Sequence, residues 1–110
     1  MRKFGREKNA RLAFLKSLAA NLVLKEKIKT TEARAKDLRS FIERLITIGK
    51  KGDLVARRRI LEFLPPAVAK KLVKEICLRF KDRKGGYTRI SRLGRRMSDG
   101  ANIVFIELIK

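Results

Sequence analysis

Histidine and tryptophan are absent from the 110 residues, and cysteine occurs once, as Cys77. Without imidazole the chain lacks the commonest general base, the commonest metal ligand and every triad built on either. A lone cysteine excludes an intrachain disulfide and a thiolate zinc cluster. Acid is scarce too: eleven Asp and Glu stand against thirty Lys and Arg. They lie scattered among cations and never form a D-x-D or E-x-x-E pair. Gly85-Gly86 lacks the spacing and the Lys-Ser/Thr of a phosphate-binding loop. No apolar run approaches the roughly 18 residues of a membrane span. Residues 1–24 are basic and then apolar, but Lys16 and Asn21 interrupt the apolar part, and its helical spacing is not that of a signal peptide. These absences predict a non-enzyme of a reducing compartment, with no cofactor, no metal, no small-molecule substrate and no membrane partner.

What is abundant is positive charge beside enough apolar residue to fold. The net charge is +19 at pH 7 and 45% of residues are hydrophobic. That composition suits one domain with a core rather than a disordered basic tail. A compact body so charged repels itself unless an anion neutralises it, and nucleic acid is the usual partner.

Hydrophobic spacing sketches the organisation. Residues 1–8 (MRKFGREK) have no apolar pattern and read as a flexible basic extension of a single α+β domain over 9–110. From Asn9, a plausible N-cap, a helix places Leu12, Leu15, Leu18, Ala19, Leu22 and Val23 on one face, with Lys16, Ser17 and Ala20 facing away. Residues 27–30 (KIKT) alternate as a short strand. Thr30 or Thr31 caps a second helix with Ala35, Leu38, Ile42, Leu45, Ile46 and Gly49 inward, Phe41 at the flank, and a Glu32–Lys36 pair outside. Gly49-Lys50-Lys51-Gly52 stops it, and Asp53 caps a third helix that turns Ala56, Ile60, Phe63 and Leu64 inward. Pro65-Pro66 breaks that helix and opens a fourth, lined by Val68, Ala69, Leu72, Val73, Ile76 and Phe80. Cys77 on its flank reads as a small buried hydrophobe. Residues 82–86 form a loop, 87–93 a strand, and 95–102 a turn with an Asp-Gly signal. Residues 103–109 (IVFIELI) are so apolar that a central strand covered on both faces is expected. The expected architecture is two-layer: helix–strand–three helices–two strands, with a small mixed sheet packed against helices.

The cations are unevenly placed. Residues 83–98 hold Arg83, Lys84, Arg89, Arg92, Arg95 and Arg96 with no acid; residues 1–16 hold Arg2, Lys3, Arg6, Lys8, Arg11 and Lys16 against Glu7 alone. A surface charged only for solubility interleaves its signs, as the second helix does. Two acid-poor blocks look instead like phosphate-contacting surfaces. Arginine dominates the later block, and its planar fork grips phosphate in two places and stacks on bases. Tyr87 beside it is a candidate for stacking. In Arg57-Arg58-Arg59, Arg58 is the one read as exposed, the others flanking the core, and Lys36 is an exposed cation on the second helix. No helix carries a polar recognition face after a tight turn, so irregular RNA fits better than a DNA groove.

At this point the residues resemble a family. Ile28-Lys29-Thr30-Thr31, then Ala33-Arg34-Ala35-Lys36 and Leu45-Ile46-Thr47, resemble the signature of ribosomal protein seventeen of the bacterial large subunit. Gly85-Gly86-Tyr87-Thr88-Arg89-Ile90 and Lys3-Phe4-Gly5-Arg6 resemble its other marked stretches, and the Gly52-Asp53-Leu54 turn also fits. The likeness runs from about Lys3 to the C-terminus. Its usual N-terminus carries histidines that this chain lacks, one of them where Ala10 stands. The resemblance implies a structural constituent of the large ribosomal subunit, cytoplasmic in the bacterial ribosome, with large-subunit rRNA and neighbouring ribosomal proteins as partners. The rival expectation is a free-standing basic RNA- or DNA-binding regulator.

Overall fold

A computed structural model describes residues 2–95 and 100–110, with side chains from residue 8 onward. Helix α1 (Arg2–Lys25) leads into β1 (Lys27–Thr31), α2 (Glu32–Gly49) and α3 (Leu54–Leu61). The fourth helix begins as α4 (Pro66–Lys71), widens into a π-helical turn (Leu72–Ile76) and closes with α5 (Cys77–Arg79). Strands β2 (Thr88–Arg95) and β3 (Asn102–Leu108) complete an α+β fold.

The helix boundaries follow their caps. The Thr31 side chain accepts from the Arg34 N–H at the start of α2, and Asp53 accepts from Ala56 N–H at 2.7 Å to start α3. Pro66 supplies the first turn of α4, where its missing N–H costs nothing. The buried stripe of α2 is Ala35, Leu38, Ile42, Leu45, Ile46 and Gly49, as the spacing predicts. Each large member contributes about 1.5–3 kcal/mol by leaving water. Val68, Ala69, Leu72, Ile76 and Phe80 of the fourth helix join that core, with Cys77 beside them.

Gly49 is small because α2 and the fourth helix touch there. A Cβ on Gly49 would meet the Cys77 Sγ at 2.6 Å and an Ile60 methyl at 3.1 Å. The Cys77 thiol donates to the Ile46 carbonyl at 3.6 Å, and burial pushes its pKa up to about 11. Cys77 is a packing residue, not a reactive thiol.

Four expectations need correction. Helix α1 runs back to Arg2, so Asn9 lies inside it and is no cap. Its buried residues are only Ala19, Leu22 and Val23, while Leu12 is exposed and Lys16 and Ala20 are half-buried. The reason is tertiary: α1 packs on the core only from Leu15 onward, and before it Arg11 and Phe14 meet α2 through an ion pair and the Arg34 guanidinium. The sheet is antiparallel throughout, in the order β1-β3-β2, where a mixed sheet was expected. Strand β3 is central, but where cover on both faces was expected only Val104, Ile106 and Leu108 are buried; Phe105 on the other face is half-exposed, as are Ile103 and Ile109 at its ends.

Glu26 joins the two layers. It ends α1 with φ 63°, a left-handed conformation usual for glycine and uncommon for glutamate. Its carbonyl accepts from Leu108 N–H at 2.9 Å, and its carboxylate pairs with Arg79 at 2.6 Å and Lys71 at 3.4 Å. Lys71 also donates to the Leu24 carbonyl at 3.0 Å. The hydrogen bond from Arg79 holds the Glu26 carboxyl below its usual pKa; partial burial opposes this and Lys71 adds to it.

Candidate nucleic-acid interface

Helix α2 has 18 residues, so its ends lie roughly 27 Å apart at 1.5 Å per residue. The cations marked in the sequence divide between those ends.

At the N-terminal end, Glu32 is shared between two of them. Lys36 Nζ lies 3.3 Å from one carboxylate oxygen and Arg92 Nε 3.3 Å from the other. Arg11 on α1 meets Asp37 at 3.3 Å. Both members of that pair are well exposed, so it orients more than it stabilises. Arg34 lays its guanidinium over the Phe14 ring, with Cζ 4.6 Å from the ring centroid. Arg95 closes the end of β2, and Lys29 stands on β1, across β3 from it; both line the same cleft. Lys29 and Arg34 fall inside the family-like motifs, yet neither was singled out. Their signal was present as two cations beside Lys36, but only the fold reveals that β1 and the first turn of α2 face Arg95.

At the C-terminal end, Arg83 and Lys84 are exposed on the loop before β2. Lys84 and Gly85 line a shallow hollow with Arg44 and Thr47 of α2. Lys50 holds that loop down by donating to the Arg83 carbonyl and, at 3.0 Å, to the Tyr87 hydroxyl. Arg58 belongs to this end as well, since α3 starts just after α2 stops. Arg57 and Arg59 are exposed beside it rather than flanking the core.

Tyr87 is corrected outright. It is 2% exposed, packs on Phe80 with ring centroids 5.0 Å apart, and donates its hydroxyl to the Arg83 carbonyl at 3.1 Å. A ring so enclosed has no face to offer a base; it anchors the basic loop from beneath. Strand alternation also separates two arginines expected to act together. Arg89 pairs across with Glu107 on the open face, Nε to Oε1 at 3.0 Å, whereas Arg92 lies opposite Val104 on the helix-covered face and reaches Glu32 from its exposed end. The later block is therefore a run along an edge strand, with Arg83 and Lys84 at one end and Arg95 roughly 20–25 Å away at the other.

Lys8 is exposed on α1. Arg2, Lys3 and Arg6 sit on the first turns of α1, with side chains outside the described residues, and Arg96 and Asp99 of the Asp-Gly turn lie outside them altogether. Among the described residues no group of His, Cys, Asp and Glu has the arrangement of a metal site, and no helix is long and apolar enough to cross a membrane.

Comparison with known proteins agrees with the motifs. The family described as Ribosomal protein L17 matches residues 14–109. A large ribosomal subunit protein bL17 of Thermoanaerobacter is 51% identical over 109 residues, covering 98% of this chain and 97% of its own. The protein of the same name from Halalkalibacterium halodurans is 47% identical over 116 residues, covering 97% of each. With the family matched over most of the chain and such relatives alike along nearly its full length, the chain belongs to the ribosomal protein L17 family.

Proposed function

We propose that the chain is a structural, non-catalytic constituent of the large ribosomal subunit of a bacterial, cytoplasmic ribosome, and that it binds the large-subunit rRNA. The observation that carries this reading is full-length kinship to large-subunit proteins in a chain of net charge +19. The two ends of α2, with Arg11, Lys36, Arg92 and Arg95 at one and Arg58, Arg83 and Lys84 at the other, would each neutralise phosphates of a different RNA segment. The core between them would hold those segments at a fixed spacing. Arg2, Lys3, Arg6 and Lys8 on the first turns of α1 extend the first surface, Arg89 adds to the edge strand, and Arg96 follows it in the sequence. Neighbouring ribosomal proteins would complete the surroundings.

Sedimentation of a cell lysate tests the assembly. Co-migration of the chain with the large subunit is expected; migration as a free dimer that selects a short duplex would assign it to a free-standing regulator. Binding to rRNA fragments should weaken with salt, log affinity falling by roughly 0.7–0.9 per log unit of salt for each phosphate contact.

A further inference from the structure

A cleft of about 530 Å³ opens between α1, the first turn of α2 and the far end of β2. Its walls include Phe14 and Leu18 from α1 and Leu93 and Ile103 from the sheet, and its rim carries Lys29, Arg34 and Arg95. Among the described residues, no carboxylate lines it. Phe14 is 44% exposed and Leu93 50% exposed, so two apolar side chains stay in water in the free protein.

Local structure builds this cleft. Strand β2 carries a bulge: Arg92 pairs with Val104 and Gly94 with Ile103, leaving Leu93 as an extra residue. A bulge bends its strand and re-aims the side chains around it. Gly94 accepts the required backbone at φ 135°, and a Cβ there would meet nothing within 4 Å. The result is a gap in which Leu93 is exposed and Arg95 faces the helices. Across it, the Thr31 cap fixes the first turn of α2, and with it the backbone of Arg34.

We infer that this cleft holds one unpaired RNA nucleotide, its base stacked on the Arg34 guanidinium and its phosphates held by Lys29 and Arg95. The inference rests on the RNA-binding reading above and adds to it a ligand and a site. The Arg34 guanidinium already lies over the Phe14 ring, its Cζ 4.6 Å from the centroid, and the residue is exposed. Guanidinium planes and aromatic rings are the platforms on which splayed-out bases stack. Duplex phosphates alone would leave Phe14, Leu93 and half-exposed Ile103 uncovered, whereas an unstacked base covers them. A wholly apolar occupant would leave three cations at the rim without a counter-charge.

The test uses the full chain and two RNA hairpins identical except that one carries a single bulged 2-aminopurine. Base stacking tolerates any sequence, so a generic hairpin suffices. The bulged hairpin should bind about 5- to 100-fold more tightly, and 2-aminopurine fluorescence should be quenched on binding. Arg34→Lys keeps the charge and removes the plane, and Phe14→Leu removes the support; each should abolish most of that preference while leaving the salt dependence and the melting temperature unchanged. Equal, salt-sensitive affinity for both hairpins would overturn the cleft assignment and leave RNA binding standing. Displacement of the bulged hairpin's quench by an acidic apolar peptide, at equal RNA affinity, would assign the cleft to a protein neighbour instead. No binding of either hairpin would overturn the RNA-binding reading and the cleft with it.

Discussion

The two ends of α2 handle positive charge differently. At its N-terminal end the arginines are held by other side chains: Arg92 by Glu32, Arg11 by Asp37, Arg34 by Phe14. At its C-terminal end Arg83 and Lys84 ride on a loop, and what is held is the backbone beneath them, through Lys50 and Tyr87. Orientation is thus set at one end by ion pairs and stacking, and at the other by a buried aromatic. An arginine with a prearranged plane suits a contact that requires direction, whereas loop cations suit phosphate neutralisation, which does not. The difference also separates folding from binding: the anchor at the C-terminal end is in the core, and its cations are not.

Substitutions can break that separation, and the largest effect should come from the anchor. Tyr87→Ala empties a core position against Phe80 and should destabilise the fold by about 3–5 kcal/mol, read by urea or thermal denaturation. Tyr87→Phe keeps the ring and should lose about 1 kcal/mol through the hydroxyl bonds. Unchanged stability with weakened RNA binding would show the tyrosine to be a surface residue after all.

Next comes the close approach that sets the C-terminal end of α2 against the fourth helix. Gly49→Ala should destabilise by about 1–3 kcal/mol through overpacking against Cys77. Adding Cys77→Ala should restore most of the loss, because the sulfur is the atom in the way. Simple additivity of the two changes would mean the helices clash elsewhere.

Glu26→Gln should have a smaller effect, on the order of 1 kcal/mol, because the clamp to Arg79 and Lys71 is partly exposed. Its carboxyl titrates lower in the folded chain than in the unfolded one. The clamp therefore contributes in full above the ordinary value of 4.5 and fades as the pH falls through the lower folded value. The substitution should shift the acid limb of the stability profile and flatten it; an unaltered acid limb would show that the clamp is not formed in solution.

The smallest effects on stability should come from the binding cations. Arg83→Ala with Lys84→Ala should leave the melting temperature within a few degrees, yet reduce the salt slope of RNA binding by up to about two contacts' worth. Deleting residues 2–8 should do the same for up to about three contacts. Those residues are expected to exchange their amides quickly in the free chain, since their sequence carries no apolar period and a helix end in water is marginal. Strong protection at Gly5 to Glu7 would mean that this stretch docks on the domain by itself.

Much of this fold was legible residue by residue because its instructions are local. The stripe of α2, the Thr31 and Asp53 caps, the Pro66 start and the Gly49 stop each need only a few neighbouring residues to act. The site was legible as charge but not as geometry. Arg83, Lys84, Arg89, Arg92 and Arg95 stand out in sequence as one acid-poor block, yet strand alternation and strand length distribute them over two faces and two ends. Tyr87 was misread because a tyrosine beside arginines looks the same whether its ring faces solvent or Phe80.

Local propensity and periodicity are short-range, so the helices, the limits of α2, the starts of α3 and α4, the need for an anionic partner and the absence of histidine chemistry all follow from the chain as written. Other features depend on which elements meet. The antiparallel order β1-β3-β2 places Lys29 and Arg95 around one cleft, and leaves one face of β3 open. Packing ends the contact of α1 with the core at half-buried Leu15, although the apolar spacing continues to exposed Leu12. Glu26 takes a left-handed turn with its carboxylate pinned by Arg79 and Lys71, some 45 to 53 positions along the chain. No window of neighbouring residues contains those partners, so only tertiary packing could decide them.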